Sequence, residues 1–377
     1  MRILNVNISL DTKSGGGTAE RTFQMTYWLN HLGIDCKVLV LDLGSSGERI
    51  IKIPDNKILK LKCINKRFYI PAISIRSIKK LIKDIDIVHL MSHWTLLNAI
   101  VYLLARYYCI SYVVCPAGAL SYVGRSPKLK KIYNKIIGHR IIRDAAFCIA
   151  ICPDEVEEFA SLGVAESKIT LIPNGINVEE YVECDTSNFR VKFNLSKKKI
   201  ILFIGRLNYI KGVDLLVNAF CTIFEHTPDY QLVIAGPDEG MQRGLQKTII
   251  ENNMTDCISF IGYLDSEIKR NAYYASSLLV IPSRQEAMSI VVLEAGITGT
   301  PVLMTNKCGF NEIENIKGGK IVDATSVALE RGLLDLLNNE SKLEQMGENL
   351  KKHVNKNYTW PIIANKYINM FRQVLKA

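Results

Sequence analysis

Two glutamates, Glu286 and Glu294, lie in the run from Ser283 to Ala295, Ser-Arg-Gln-Glu-Ala-Met-Ser-Ile-Val-Val-Leu-Glu-Ala. An apolar strand, Ser277–Pro282, precedes it. This pattern predicts Glu286 on the loop leaving the strand and Glu294 inside a helix that starts near Ser289. A strand, a tight turn and a helix N-terminus bind anions well, because the first helical N–H groups have no acceptor within the helix. Carboxylates beside such a site suit a ligand carrying both phosphates and hydroxyls, a description that fits a nucleotide sugar better than a bare nucleotide.

A second group of residues points to the same ligand. Gly205 ends the apolar run Lys199–Gly205, and Arg206 and Lys211 follow, with Gly212 behind them. Arg206 leaves the carboxyl end of a strand, where doubly wound sheets bind ligands. Two cations near a helix entrance suit a pyrophosphate and can neutralise charge on a departing diphosphate. A third segment, Ser14-Gly15-Gly16-Gly17-Thr18, lies between the first strand and a helix. Its glycines let backbone approach a ligand without Cβ obstruction. It matches neither the Walker A loop nor the dinucleotide fingerprint, so ATP and nicotinamide lack their usual support.

The elements that must hold these groups are short apolar runs alternating with longer amphipathic ones. Strands are predicted at 3–8, 36–41, 85–91, 112–115, 147–151 and 169–172, and helices at 19–32, 73–83, 96–106 and 129–143. A turn at Pro173-Asn174-Gly175 and a polar stretch to Ser196 end this series. A second series places strands at 199–205, 231–235, 258–261, 278–281, 302–304 and 320–322, with helices between them, including 213–224 and 289–297. Such βα alternation implies parallel sheets covered on both faces. The final stretch after Trp360-Pro361 reads as an amphipathic helix with proline in its first turn.

The 377 residues are 48% hydrophobic and 22% charged, ordinary for globular domains and unlike a disordered chain. The start lacks the basic and long apolar segments of a signal peptide, and no run approaches the roughly 18 apolar residues of a membrane span. Ten cysteines without a Cys-x-x-Cys pair, and six scattered histidines, predict free thiols and no metal site. The net charge of +10 is uneven: residues 1–150 carry 23 Lys/Arg against 9 Asp/Glu, and the remainder 24 against 28. Within the first part, Lys128, Lys130, Lys131, Lys135 and Arg140 interleave with Ile132, Tyr133, Ile136, Ile137 and Ile141. Such a helix fits an anionic membrane surface, or a solvated helix with its apolar stripe in the core. Nucleic acid is not indicated, since no binding module accompanies the charge.

Taken together, Gly15 to Glu20, Ile172 to Gly175, Gly205-Arg206-Leu207 with Lys211-Gly212, Ala235-Gly236-Pro237, Phe260-Ile261-Gly262 and Pro282 to Ala295, continuing into Gly299-Thr300-Pro301-Val302, resemble the retaining GT-B-fold glycosyltransferases of family four, the group 1 transferases. The resemblance covers nearly the whole chain and is most specific in the second half. It implies an α/β fold of two Rossmann-like doubly wound domains facing across a cleft: 1–175 for the acceptor, 176–357 for the nucleotide sugar, and a helix at 358–377 returning to the first domain. Arg206 and Lys211 would hold the donor diphosphate, Glu294 the ribose hydroxyls and Glu286 the transferred sugar. Backbone N–H groups of Met288, Ser289 and Ile290 would approach phosphate or sugar oxygens, and Gly262-Tyr263 would lie against the base. Gly205, Gly236 and Ala287 would complete the donor site, and the loop with Gly16 and Gly17 would approach donor phosphates or the acceptor.

The resemblance further implies hexosyl transfer to a hydroxyl of a saccharide or lipid-linked saccharide, as in bacterial surface polysaccharide assembly, at the cytoplasmic face of the plasma membrane and with no metal or other cofactor. Two departures bear on the site. Glu286-Ala287-Met288-Ser289 stands where family members often have Glu-Gly-Phe-Gly. A histidine common after the strand at 113–115 is missing, the chain reading Cys115-Pro116-Ala117-Gly118. Pro116 and His93, which follows the neighbouring strand, are the acceptor-side candidates, with His93 either facing the cleft or satisfied locally. Rival readings are a synthase- or phosphorylase-type nucleotide-sugar enzyme and a non-catalytic sugar- or partner-binding subunit. A glycoside hydrolase is disfavoured, because both glutamates sit on one strand-loop-helix unit beside the phosphate site.

Overall fold

The computed structural model describes residues 1–43, 52–72, 78, 79, 82–120, 126–183 and 186–376. They form two compact units, one of 1–175 together with the chain from Trp360 onward, the other of Ile176–Thr359. Each is a twisted sheet with helices on its faces, as the alternation of apolar and amphipathic runs predicts.

In the first unit the strands are β1 (Arg2–Val6), β2 (Asp35–Asp42), β3 (Ile58–Asn65), β4 (Ile70–Pro71), β5 (Ile87–Met91), β6 (Ser111–Cys115), β7 (Phe147–Ala150) and β8 (Ile169–Leu171). Their order is β4-β3-β2-β1-β5-β6-β7-β8, parallel except for the β3–β4 edge pair. The sequence reading missed β3 and β4. Most of the predicted helix at 73–83 lies outside the described residues.

The described helices of this unit are α1 (Thr12–His31), α2 (Leu96–Tyr107), α3 (Pro127–Tyr133), α4 (His139–Arg143) and α5 (Pro153–Ser161). Between α3 and α4 the predicted single helix is interrupted by a π-helical turn, Asn134–Gly138. Gly138 permits it: a Cβ there would lie 2.2 Å from Asn134 Oδ1 and 3.0 Å from His93 Nε2. Every residue of β5 is buried, as expected for a parallel strand covered on both faces.

The second unit holds α6 (Ser187–Lys192), β9 (Lys199–Ile204), α7 (Val213–Ile223), β10 (Tyr230–Ala235), α8 (Gln242–Glu251), β11 (Ile258–Gly262), α9 (Ser266–Tyr274), β12 (Leu278–Ile281), α10 (Ile290–Thr298), β13 (Val302–Thr305), β14 (Gly319–Val322), α11 (Ser326–Leu337) and α12 (Glu340–Asn357). The strand order is β11-β10-β9-β12-β13-β14, all parallel. Ile201, Phe203, Leu232, Ile234, Val280 and Leu303 form its core with Val213, Leu216 and Phe220 of α7.

The last helix, α13 (Trp360–Val374), belongs to the first unit. Trp360, Ile363, Ala364, Tyr367, Ile368 and Phe371 are buried at helical spacing, so one face of α13 must find a core. Arg21 of α1, itself buried, fastens it there by donating to Tyr367 Oη (2.7 Å), Asn174 Oδ1 (2.7 Å) and Ile172 O (2.7 Å). Among the described residues no helix is long and apolar enough to cross a membrane.

Candidate functional site

In the second sheet the strand order reverses between β9 and β12, which pair directly. Ligands of open α/β sheets bind beyond the strand carboxyl ends at such a reversal. The segments leaving those two strands are Gly205–Gly212 and Pro282–Ser289, so the topology brings together Lys211 and Glu286, 75 residues apart in sequence. Lys211 Nζ lies 2.8 Å from Glu286 Oε1, and Ser283 Oγ donates to the same oxygen at 2.5 Å.

Close backbone packing sets this juxtaposition. Asn208 caps the 3₁₀ turn Tyr209–Lys211, its Oδ1 accepting the Lys211 N–H, and Gly212 at φ 65° turns the chain into α7. A Cβ on Gly212 would lie 2.0 Å from Pro282 O. Arg284 stitches the same turn from the other side. Its N–H donates to Ile210 O (2.7 Å), its guanidinium to Tyr209 O (2.7 Å) and to both oxygens of Asp214 (2.8 and 2.6 Å), and it lies 4.0 Å above the Tyr209 ring. The Glu286 loop rests on the segment after β13: Glu286 N–H donates to Lys307 O and Ser289 N–H to Cys308 O.

The N–H groups of Ile290 and Val291, in the first turn of α10, have no acceptor within the helix, while that of Ser289 is committed to Cys308 O. Met288 is buried and Ala287 half-buried. Gly309, at φ 64°, packs so tightly on this loop that a Cβ there would lie 1.5 Å from Ala287 O.

Burial favours a neutral Glu286, but the Lys211 charge and hydrogen bonds from Lys211, Ser283 and Ser289 outweigh it, holding the carboxyl below the usual range. Glu294 is placed alike. Burial opposes its charge, yet Lys269, Tyr273 and Tyr181 keep it below the usual range, with Lys269 Nζ and Tyr273 Oη each 2.6 Å from a carboxylate oxygen. Neither glutamate is a proton donor at neutral pH. Arg206 projects from the end of β9 and reaches both oxygens of Glu239 (3.0 and 3.3 Å), which also accepts from Asn208. Such an exposed pair contributes little and is readily exchanged for a phosphate. Gly236, at φ 141°, allows contact with Gly205, whose carbonyl oxygen a Cβ would approach to 1.8 Å. Tyr263 follows Gly262 and is exposed.

In the first sheet the reversal falls between β1 and β5, and the chain leaving them carries the glycine segment and His93. Gly16 adopts φ 56° and breaks α1 near its start, with Gly17 exposed beside it. His93 is buried against Trp94 and Tyr133, its Nε2 2.9 Å from Asn134 Oδ1 in the π turn and its Nδ1 without a hydrogen-bond partner among the described residues. Pro116 is buried at the end of β6. The left-handed pair after it, Ala117-Gly118, is held by buried Glu155, which accepts from the Gly118 and Ile151 N–H groups. The nine described cysteines are free, and among the described residues no His, Cys, Asp and Glu cluster suits a metal ion.

Burial depresses His93 to about 4 and, aided by Arg21, His89 to about 3. Both are neutral when folded, whereas an unfolded histidine takes up its proton near pH 6.5. Their contribution is complete above that value and is lost as pH falls toward their folded values. At pH 5 each should cost about 2 kcal/mol of stability. Melts between pH 7.5 and 5 should show a falling midpoint, and His93→Gln should flatten the slope; a pH-independent midpoint would contradict the burial argument.

Sequence reasoning did not find Lys269, Tyr273, Arg284, Glu239, Asn134 or Gly309. The Gly-Pro-Asp-Glu turn at 236–239 was a readable signal for Glu239; the others depend on contacts far apart in sequence.

Two family profiles match the chain: "Glycosyltransferase Family 4" over residues 15–180 and "Glycosyl transferases group 1" over residues 185–353. An uncharacterized glycosyltransferase of Methanocaldococcus jannaschii is 31% identical over 225 residues, 57% of each chain. D-inositol 3-phosphate glycosyltransferase of Corynebacterium urealyticum is 26% identical over 306 residues, 77% of this chain and 72% of that one. The first of these matches thus spans little more than half of the relative's length. The crystal structure of Anabaena HepE in complex with UDP has the same fold, with a TM-score of 0.81 at 16% identity over 99% of this chain and 100% of that one.

Proposed function

We propose that the chain, whose two halves match the family 4 and group 1 glycosyltransferase profiles and whose fold is that of HepE, is a glycosyltransferase that moves a hexose-type sugar from a nucleoside diphosphate sugar, with retention of configuration, to a hydroxyl of a saccharide or lipid-linked saccharide. The observation carrying this reading is the Lys211–Glu286 pair at the reversal point of the second sheet, beside the first turn of α10.

In this reading Lys211, Arg206 and the Ile290 and Val291 N–H groups bind the donor diphosphate and stabilise the charge it gains on leaving. Glu286, ionised, accepts hydrogen bonds from hydroxyls of the transferred sugar, and Glu294 meets the ribose. The turn at Gly262-Tyr263 takes the base. Catalysis rests on orientation and charge stabilisation rather than on a strong base. Acceptor recognition falls to the first unit, where the Gly15–Gly17 segment, His93 and Pro116 follow the ends of β1, β5 and β6.

The test is incubation with a panel of nucleoside diphosphate sugars. Release of nucleoside diphosphate only when a saccharide acceptor is added, with an unchanged anomeric signal in the product, supports transfer. Release without acceptor, or with inversion, counts against it, and phosphate-dependent release indicates the phosphorylase-type rival.

A location at the inner face of the plasma membrane, in surface polysaccharide assembly, belongs to the same proposal. The basic helix favours it. Tyr133 and Ile137 pack on the core, whereas Leu129, Ile132 and Ile136 are 53%, 54% and 65% exposed among Lys128, Lys131 and Lys135. Apolar groups interleaved with lysines suit an anionic bilayer. Anionic liposomes should retain the protein at low salt, and an Ile132→Asp, Ile136→Asp variant should stay in the supernatant; equal partitioning of the two would refute the contact.

A further inference from the structure

We propose that Lys269 is a donor-contacting residue: together with Glu294 it reads a ribose hydroxyl of the nucleoside diphosphate and so selects ribonucleotides over deoxyribonucleotides. This rests on the donor-site reading above and adds to it a residue and a selectivity.

Lys269 and Tyr273 lie one helical turn apart on α9 and so share a face. That face is turned to Glu294: Lys269 Nζ is 2.6 Å from one carboxylate oxygen, and Tyr273 Oη donates to the other at 2.6 Å. Tyr181, from the 3₁₀ turn Val178–Tyr181, also hydrogen-bonds the carboxylate, and its own carbonyl accepts from Tyr274 Oη at 2.8 Å. On the far side of α10, Leu350 and Val354 of α12 pack against Gly296. Asp265 Oδ1 caps α9 by accepting the Ile268 N–H, which fixes the first turn from which Lys269 projects.

The hydrogen-bond inventory then constrains the chemistry. A carboxylate has about four acceptor positions, of which Lys269, Tyr273 and Tyr181 occupy three. It can therefore accept one further hydroxyl proton, but it cannot clamp two ribose hydroxyls unaided. A ribose hydroxyl is both donor and acceptor, and an ammonium beside a carboxylate complements both roles. Exposure agrees, because the Lys269 side chain is 27% exposed and that of Glu294 only 8%, so the ammonium is the more open end of the pair. Charge agrees as well: without Lys269 the site would present a buried, uncompensated carboxylate to an anionic nucleotide. The pair also sits where the donor reading needs it, since α9 is the helix that follows β11 and the Gly262-Tyr263 turn.

The experiment is calorimetric titration of the full chain with uridine, guanosine and adenosine diphosphate, followed by the 2′-deoxy and 3′-deoxy forms of whichever binds most tightly. Wild type should prefer the ribonucleotide to at least one deoxy form by tenfold or more. In Lys269→Met that preference should fall below threefold, donor KM should rise about tenfold and kcat should stay within threefold, as expected for a contact remote from the reacting bond. Should Lys269→Met fail to fold, Lys269→Gln, which keeps a donor toward Glu294, gives the same readout. A variant that weakens ribo- and deoxyribonucleotide alike, leaving their ratio intact, makes Lys269 purely structural and overturns the proposal. So does a wild type that binds diphosphates without any ribose preference. A wild type that binds no nucleoside diphosphate overturns the donor-site reading itself, and the two failures are thereby distinct.

Discussion

Lys211→Met should lower turnover by about 100- to 1000-fold and leave the second unit folded, with a lowered melting midpoint because buried Glu286 loses its cation. The size follows from the position of the charge. Lys211 Nζ donates to Glu286 at 2.8 Å, at the strand-order reversal and beside the N-terminus of α10. An ammonium has three donors, and its contact with Glu286 is one of them, so it can hold Glu286 and meet a phosphate oxygen together. Removing one preorganised stabiliser of developing charge typically costs 2.7 to 4 kcal/mol of transition-state energy, about two to three decades in rate. The fold should survive, because the Lys211 side chain is partly exposed and its backbone turn is held independently by Asn208 and Arg284. A structural role confined to neutralising Glu286 predicts something else, namely recovery of turnover in the Lys211→Met, Glu286→Gln double variant. We expect no recovery. Steady-state rates of the single and double variants decide the point.

Gly309→Ala should lower turnover about 100-fold by displacing the Glu286 loop. Gly309 has φ 64°, where an alanine costs about 1 to 2 kcal/mol. The larger effect is steric: the added Cβ would lie 1.5 Å from Ala287 O and 3.2 Å from Met288 Cα. Both neighbours are backbone, so no side-chain rotation relieves the clash, and the loop bearing Glu286 and leading to Ile290 must move by an ångström or more. A misplacement of that size costs about 10²-fold in an oriented site. Gly240→Ala is the matched control, having φ 102° but nothing within 4 Å of its Cβ; it should lose stability without the same loss of rate. Equal rate losses in both variants would show backbone strain, not loop displacement, to be responsible.

Much of the fold was legible because parallel strands buried on both faces must be short apolar runs. The six strands predicted in the second unit all occur, with ends within a residue or so, and α10 begins one residue beyond its predicted start at Ser289, which is its N-cap. β3 was overlooked because only the two-residue β4 lies outside it and much of it is exposed, so it carries charged residues. Leu59 and Leu61 alternate with Lys60 and Lys62, and the charge drew attention that the period of two did not. The break at Asn134–Gly138 was invisible because it depends on the room beside His93, 41 residues away, rather than on local propensity.

The site divides in the same way. Glu286, Arg206 and Lys211 follow strand ends and could be found from motif spacing. Lys269, Arg284 and Gly309 act through neighbours supplied by the order of strands in the sheet, which no local window contains. The resemblance to known transferases pointed to Glu294 but not to the ammonium that accompanies it. The Ser289 N–H was expected to face the ligand and instead donates to Cys308 O, because the loop after β13 needs that bond.

In the proposed donor site, the second unit binds the nucleoside diphosphate part of a sugar donor through Arg206, Lys211, Glu286 and Glu294. Thermal unfolding with nucleoside diphosphates tests it most directly. A matching nucleotide at 100 times its dissociation constant should stabilise the wild type by about 2.7 kcal/mol, seen as a raised melting midpoint. The same concentration should give a much smaller shift in Lys211→Met and Glu294→Ala. An unmoved midpoint with uridine, guanosine, adenosine, cytidine and thymidine diphosphates alike, or equal shifts in wild type and both variants, would contradict the account.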